Sequence, residues 1–295
     1  MPGEEIEKKK ETASVRALKL LLKILITAAC FWYISTKINF GNALTALTKA
    51  NLFYLFIALL FFILSKFLSA IRLNIYFSNI NLPLPQWTNI RLYWLGMFYN
   101  LFLPGAISGD AYKVVLLNRR YGTSYKKASA AVLLDRFSGV LALGVILCIY
   151  GVMVFEEYYL DLVLIGGVLL AISGLYIAVR FLFPDFRTDF FRVLIWGIGV
   201  QLSQVVCIYF ILQSLHLPLQ HEWIFIFLSS AVISILPVSL GGGLGTRELV
   251  FAEGASYLGL DPQTGVVISL LFYLLTVIGS VGGLYYNFRD PLKTN

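Results

Sequence analysis

Two apolar segments of this chain are broken in the same manner. In each, a Leu-Pro pair ends the apolar run, and glycines and then charged residues follow. Lipid cannot hydrogen-bond an opened backbone, so non-helical chain at membrane depth is tolerated only inside protein or beside a water-filled cavity. Paired interruptions at corresponding positions of two halves are typical of a transport site. The predicted helix-break residues are Pro104, Gly105, Gly109 and Pro237, and the second break continues through Gly241, Gly242 and Gly243.

The composition indicates a membrane protein. Of the residues, 59% are hydrophobic and only 13% are charged, and the mean hydropathy is +0.80. A soluble domain does not need so much apolar surface, so we predict an all-α, polytopic helical bundle that forms a single transmembrane domain over residues 1–295. The net charge of +7 is explained by the positive-inside rule rather than by nucleic-acid binding.

Six apolar runs are long enough to cross a bilayer, given about 20 residues per span. Two further apolar segments are too short, end at the prolines and are each followed by a short piece. A polar stretch from Arg72 to Asn89 is expected to stay at the surface. The predicted full spans cover about 17–36, 52–71, 128–154, 160–181, 191–213 and 264–287, the short apolar segments about 90–103 and 223–236, and the short pieces about 110–121 and 246–258.

The basic residues predict the topology. If residues 1–16 form a cytoplasmic basic tail, Lys and Arg cluster in alternate loops, as the positive-inside rule requires, provided that both broken segments are re-entrant hairpins. The hairpins then enter from opposite faces, and about 90–154 and about 223–288 form the cores of an inverted repeat, which places a substrate site near the bilayer midplane. Both termini are expected in the cytoplasm, and the membrane is expected to be the inner (cell) membrane.

Charged residues at membrane depth each cost about 2.5–3.5 kcal/mol on insertion scales and therefore need a reason. Asp110 stands where a short helix begins, so it either caps that helix or serves a substrate or a proton. Lys113 is one helical turn further on and can pair with it. Lys66, near the end of the second span, is expected to extend its stem to the interface. The candidates at depth are Asp110, Lys113, Asp135, Arg136, Arg247 and Glu248.

Asp135 and Arg136 are neighbours within an apolar helix. Adjacent helical positions point about 100° apart, so the two charges cannot share one direction. At least one of them must face a polar interior or another partner. Arg136 either holds a phosphate through its bidentate guanidinium fork or pairs with Asp110 and only braces the fold, and we favour the cavity role.

The second break is suited to anion binding. Its glycines allow successive backbone N–H groups to turn toward a cavity, a helix that starts near Thr246 adds positive potential at its N-terminus, and Arg247 adds a full charge. Together these features predict a lipid-phosphate site. Glu248 is expected to neutralise Arg247, to accept a proton or to meet a cationic headgroup. The glycines are not followed by the Gly-Lys-Ser/Thr of a Walker A loop.

Motifs of an enzyme active site are missing from the sequence. It contains no HExxH motif, no clustered Cys and His and no nucleophile–base–orienter set. We therefore expect no metal and no cofactor, and a transporter rather than a catalyst.

Three motifs together resemble the lysylphosphatidylglycerol synthase/flippase transmembrane-region family, over about residues 17–288. They are Asn100-Leu-Phe-Leu-Pro-Gly105 with Gly109-Asp110, Ala131-Val-Leu-Leu-Asp-Arg136, and Pro237-Val-Ser-Leu-Gly-Gly-Gly-Leu-Gly-Thr-Arg-Glu248. In the best-known members this region is fused to a soluble aminoacyl-transferase domain and is thought to move the aminoacylated lipid across the bilayer. The sequence stops at Asn295 without that domain, so the resemblance implies a stand-alone member that moves lipid and does not transfer lysine. It also implies that the lipid path holds Asp110, Arg136, Arg247 and Glu248.

The leading hypothesis is a lipid flippase or lipid transporter that moves a phospholipid, an aminoacyl-lipid or a polyprenyl-linked lipid across the cytoplasmic membrane. One alternative is an integral-membrane accessory subunit or enzyme that acts on a lipid-linked sugar, with Asp110 or Glu248 as its catalytic carboxylate. Another is a structural or assembly protein without a substrate, which the lack of a cavity near the breaks would favour. The expected partners are the membrane lipid and either a second copy of the chain or a lipid-modifying enzyme, with no nucleic acid.

Overall fold

A computed structural model describes residues 21, 32, 48–102, 108–235 and 243–292. Most of the predicted first span lies outside these residues. Both Leu-Pro breaks also lie outside them, and the predictions made there stay predictions. The site and break residues concerned are Pro104, Gly105, Pro237, Gly241 and Gly242.

The regular elements of the described residues are all helical, which confirms the predicted all-α, polytopic class. A short 3₁₀ helix, Pro184–Phe186, separates the fifth and sixth α-helices of this part of the chain. The α-helices are α1 (Leu52–Asn79), α2 (Gln86–Phe102), α3 (Ser108–Tyr121), α4 (Tyr125–Phe155), α5 (Tyr158–Leu182), α6 (Phe190–Ser214), α7 (His221–Ile235), α8 (Thr246–Tyr257) and α9 (Pro262–Phe288).

Five of these helices are long and apolar enough to cross a bilayer, namely α1, α4, α5, α6 and α9. The other four hold 12 to 17 residues. At about 1.5 Å per residue none of them reaches across the about 30 Å of hydrocarbon. They form two consecutive pairs, α2–α3 and α7–α8, and each pair is joined across one of the breaks. The helix bounds agree with the predicted segments to within a few residues, except at the end of α1.

The first described span is longer than predicted. The expectation that Arg72 to Asn89 stays at the surface is wrong, because α1 continues to Asn79 and much of that stretch is buried. Some of its polar groups find partners inside the bundle. Asn89 is fully buried, and its amide donates to the carbonyl oxygen of Ala70 in α1. Its Oδ1, with Asn74 Oδ1, Asn79 Nδ2 and Gln86 Nε2, is buried without a partner within the described structure, so internal hydrogen bonds satisfy this stretch only in part.

The helices pack in two sets that repeat one another. α1 lies along α6, and the N–H of Asn51 at the start of α1 donates to the carbonyl oxygen of Ser214 at the end of α6, 2.8 Å away, so the two helices are antiparallel. α2 packs on α9 and α3 on α4, while α7 packs on α4 and α8 on α9. α5 contacts mainly α4 and stands outside this pattern. An inverted repeat of α1–α4 and α6–α9 would give these contacts, so they support that prediction.

Glycines allow the short helices to approach their neighbours at backbone distance. A Cβ atom added at Gly109 in α3 would lie 1.9 Å from the carbonyl oxygen of Gly96 in α2, and one added at Gly283 in α9 would lie 2.3 Å from that of Trp94 in α2. The N–H of Gly109 donates to Oδ1 of Asn100 at 2.9 Å, which satisfies one of the free amides at the start of α3. Small residues therefore let the α2–α3 hairpin close and pack on α9.

We expect Gly109→Ala to lower the free energy of unfolding by about 1–3 kcal/mol, as overpacking does, because the new Cβ meets backbone and not a mobile side chain. Thermal unfolding of the purified protein in detergent measures the effect. Gly174→Ala in α5 is the matched control, because no atom of another residue lies within 4 Å of its Cβ position. Equal unfolding midpoints for the two variants would contradict the close packing of α3 on α2.

Candidate functional site

A polar cavity of about 260 Å³ lies between helices of both sets. Its walls come from α1, α4, α6, α7 and α8. Three of the lining residues are arginines, one each from α1, α4 and α8, and two of them, Arg72 and Arg136, form ion pairs with carboxylates. The polar and charged lining residues are Ser69, Arg72, Arg136, Gln201, Gln204, Ser234 and Arg247.

Arg72 on α1 forms a buried ion pair with Asp135 on α4. Its Nε donates to Oδ1 of Asp135 at 2.8 Å, and the two side chains are only 7% and 12% exposed. The guanidinium group lies against Gly139 and Gly197, where an added Cβ would come within 3.1 Å and 3.3 Å of its nitrogen atoms. The pair thus fixes α1 to α4 at the cavity wall.

Asp110 at the start of α3 lies between two cations. Nζ of Lys113 donates to its Oδ1 at 2.9 Å, and Nε of Arg136 donates to its Oδ2 at 2.5 Å. Lys113 is also buried, and its ammonium group lies 4.6 Å from the centre of the Tyr93 ring. Because both carboxylate oxygens accept from cations, ion pairing rather than helix capping is the role that the structure gives to Asp110.

Asp135 and Arg136 diverge as helical geometry requires. Asp135 points to Arg72 on α1, whereas Arg136 points to Asp110 on α3. Of the two alternatives considered for Arg136, the structure shows the pairing with Asp110. Arg136 also lines the cavity with 29% of its side chain exposed, and phosphate binding there stays a prediction.

Arg247, in the first turn of α8, has no carboxylate partner among the described residues. Its Nε lies 3.4 Å from Oγ of Ser234 on α7. Its guanidinium carbon lies 4.6 Å from the centre of the Phe272 ring and 6.0 Å from that of Phe227. Aromatic faces attract a cation, but they do not neutralise it. Arg247 therefore brings to the cavity a positive charge that forms no ion pair within the described structure, although the neighbouring Glu248 acts on it electrostatically.

Glu248 has a different place from the neighbouring arginine. It is almost completely buried, and its Oε2 accepts from the N–H of Gly245 at 2.6 Å while its Oε1 accepts from the hydroxyl of Ser269 at 3.0 Å. The first contact is half of a capping box, in which a residue of the first turn binds the backbone before the helix. Glu248 thus stabilises the start of α8 and its packing on α9, and it is not among the residues that line the cavity.

Gly243 is the described member of the predicted glycine nest. Its φ of 105° lies in the left-handed region, which favours glycine. A Cβ at this position would lie 2.5 Å from Oγ of Ser234. Glycine is therefore required here for the chain to enter α8 close to the end of α7, which places Arg247 at the cavity.

Lys66, like Arg72, lies in a different place from the one predicted from the sequence. Instead of extending to the interface, it is half-buried, its ammonium group lies 4.6 Å from the centre of the Phe62 ring, and it interacts electrostatically with Arg72 and Arg247. A signal for this face was present, since Lys66, Ser69 and Arg72 recur at every third position and so share one face of α1.

One buried polar atom of the cavity wall is unsatisfied. Gln201 on α6 donates weakly from Nε2 to the carbonyl oxygen of Gly139 at 3.5 Å, but its Oε1 has no hydrogen-bond partner within the described structure. Buried polar groups in native proteins are normally paired. An acceptor without a donor at a cavity wall is suited to a ligand hydroxyl or amine.

We expect Asp135→Ala to lower the free energy of unfolding by about 3–5 kcal/mol, because it leaves the Arg72 charge buried without a partner. Chemical denaturation in detergent measures the loss, and Arg72→Met combined with Asp135→Leu should recover most of it. The control is Asp185→Ala, which removes a half-exposed surface pair with Lys127 and should cost less than about 1 kcal/mol. Similar losses for Asp135→Ala and Asp185→Ala would show that the buried pair does not fix α1 to α4.

Comparison with known proteins agrees with this architecture. The chain is 20% identical to a UPF0104 membrane protein of Pyrococcus horikoshii, in an alignment that covers 90% of this chain and 95% of that protein. The family model described as the lysylphosphatidylglycerol synthase TM region matches residues 20–192, which include the ion pairs of Asp110 and Asp135 but not Arg247. Because the match covers more than half of the chain, this protein belongs to the lysylphosphatidylglycerol synthase transmembrane-region family.

Proposed function

We propose that this protein moves a membrane lipid across the bilayer by binding the lipid headgroup in the polar cavity. The observation that carries the proposal is the presence of Arg136 and Arg247, one from each helix set, at one cavity inside a polytopic membrane protein. Guanidinium groups bind phosphate through paired hydrogen bonds. The charge of Arg247, which forms no ion pair within the described structure, favours an anionic group at this place.

The acyl or prenyl chains of the lipid have a path beside the headgroup. An apolar groove of about 480 Å³ lies between α4 and α5, with Gly144 and Gly167 in its walls, and Val140 lines both this groove and the polar cavity. A lipid can therefore place its headgroup at the arginines and its chains in the groove or the surrounding hydrocarbon. With the headgroup in the cavity, its polar groups keep hydrogen-bond partners during the movement, which the hydrocarbon could not provide.

Movement would follow from rocking of one helix set against the other, as in transporters with inverted repeats. The cavity lies where α1 and α4 of one set meet α6, α7 and α8 of the other, so rocking would change which side of the membrane it faces. We infer from the positive-inside rule that both termini face the cytoplasm, and we propose the inner (cell) membrane as the location.

The contacts of the carboxylates favour transport over chemistry. Asp110 is held by two cations, and both oxygens of Glu248 accept hydrogen bonds from Gly245 and Ser269. A general base needs an oxygen within reach of the proton that it removes. Neither candidate carboxylate is free for that role, so we favour a lipid transporter over an enzyme that acts on a lipid-linked sugar.

Lipid movement in liposomes tests the proposal. We expect the purified protein to move a fluorescent anionic phospholipid between leaflets, and Arg247→Ala and Arg136→Ala each to slow it at least about tenfold, since a hydrogen bond to a charged group contributes about 1.5–3 kcal/mol. Arg187→Ala is the matched control, because Arg187 is exposed outside the cavity. If both cavity variants are folded and move lipid at the rate of the unchanged protein, the site is wrong.

Mass spectrometry of the same liposomes separates transport from catalysis. An unchanged lipid mass after movement supports the flippase, whereas a modified lipid would overturn it in favour of the enzyme. Lipids that co-purify with the protein, identified in the same way, give the first candidates for the natural substrate.

A further inference from the structure

Lys66 and Arg247 form a pair of like charges at the contact between the two helix sets. Lys66 lies over the Phe62 ring and Arg247 over the Phe272 ring, each at 4.6 Å from the ring centre. The two rings touch edge to face, with centres 5.8 Å apart. Lys66 belongs to α1 and Arg247 to α8, so the helix fold itself brings the two cations together. The two cations thus lie on either side of the Phe62–Phe272 contact.

The other buried cations of the described bundle differ from this pair, because each has a carboxylate. Arg72 has Asp135, and Lys113 and Arg136 share Asp110. Glu248 follows Arg247 in the chain, but its oxygens are used by the start of α8 and by Ser269, and no ion pair with Arg247 is formed.

Most of the sequence outside the described residues contains no acidic side chain. Residues 12–47, 103–107, 236–242 and 293–295 contain no Asp and no Glu, and the remaining undescribed acids are the four glutamates of the basic tail. Within the described part of the chain neither Lys66 nor Arg247 forms an ion pair, and Glu248 acts on Arg247 without direct contact. Since each such charge is costly in hydrocarbon, their joint presence is best explained by a ligand that brings negative charge.

We propose that Lys66 and Arg247 together bind a headgroup with two negative charges, that is, a phosphomonoester or diphosphate at the end of a lipid. This inference rests on the proposed function and names its substrate class. A phosphodiester lipid carries one negative charge and leaves one of the two cations unbalanced. An aminoacylated phosphodiester lipid also carries a positively charged amino group, which Lys66 and Arg247 repel. The proposed substrate therefore differs from lysylphosphatidylglycerol, the lipid after which the family is named.

The aromatic rings suit this role. They hold each cation by its attraction to the ring face without offering a competing hydrogen-bond acceptor, so the N–H donors that they leave unused remain available to phosphate oxygens. Ser69, one turn along α1 from Lys66, lines the cavity together with Arg247. Lys66 itself is not among the lining residues, so the dianion would lie at the end of the cavity formed by Ser69, one turn from Lys66, and the hydroxyl groups of a larger headgroup would reach Gln201.

Binding of short-chain lipids to the full chain in detergent tests the inference at about pH 7, where a phosphomonoester with a second pKa of about 6 is mostly in its dianionic form. The probes are dioctanoyl phosphatidic acid, dioctanoyl phosphatidylglycerol, lysyl-phosphatidylglycerol and inorganic phosphate. We expect phosphatidic acid to bind at least about tenfold more tightly than phosphatidylglycerol, and lysyl-phosphatidylglycerol to bind least among the lipids. Lys66→Gln should remove the preference for phosphatidic acid while phosphatidylglycerol binding stays within about twofold.

Two further variants separate charge from structure. Lys66→Arg keeps the charge and should retain the preference, and Lys127→Gln removes an exposed lysine and should change nothing. Equal binding of phosphatidic acid and phosphatidylglycerol to the unchanged protein, or a preference that survives Lys66→Gln, would overturn the dianion site. If inorganic phosphate binds tightly and phosphatidic acid does not bind, the assignment of a lipid as the ligand is wrong. If lipid moves in liposomes regardless of its second charge, this inference fails while the proposed function stands.

Discussion

The neutralisation of charge inside hydrocarbon is the constraint on which the rest of this structure depends. Asp110 and Asp135 satisfy it for three cations, and in doing so they connect α1, α3 and α4. Asp135 and Arg136 are neighbours on α4 and point in different directions, so Asp135 reaches α1 and Arg136 reaches α3. A buried carboxylate or cation without its partner would cost several kcal/mol. These ion pairs therefore fix the positions of α1, α3 and α4 relative to one another. They also present one face of Arg136 to the cavity.

The same constraint explains what could be predicted from the sequence. Apolar runs of the right length predicted the spans, because the thickness of the bilayer sets the length of a helix directly. The short helices before each Leu-Pro pair were predictable for the same reason. The six charged candidates were chosen because charge at depth is rare, and four of them, Asp110, Lys113, Asp135 and Arg136, lie in the ion-pair network. Arg247 lies at the cavity with Arg136.

Partners were harder to predict than positions, because pairing depends on contacts between segments far apart in the chain. Arg72 was read as the start of a surface stretch since polar residues follow it, but Asp135, 63 residues away, allows it to be buried. Lys66 was expected at the interface because its long stem permits that, but it lies over Phe62, whose ring contacts the Phe272 ring beneath Arg247. Three roles were considered for Glu248, among them the neutralisation of Arg247. Its Oε2 accepts from the N–H of Gly245, and it acts on Arg247 without forming an ion pair.

The distribution of the buried ion pairs has a consequence for movement. Among the described residues, the pairs of Asp110 and Asp135 lie entirely within α1–α4, and the Glu248 contacts lie entirely within α8 and α9. Contacts between the two sets are of other kinds. They include the aromatic contact of Phe62 with Phe272 and hydrogen bonds, as from the N–H of Asn51 to Ser214 and from the Trp94 indole to Gly279. Breaking a hydrogen bond costs less than separating a buried ion pair, which costs several kcal/mol. If the protein moves lipid as proposed, a bound anion would add a charged contact that joins Lys66 and Arg136 of the first set to Arg247 of the second. Such a ligand would stabilise the arrangement of the two sets in which all three cations reach it.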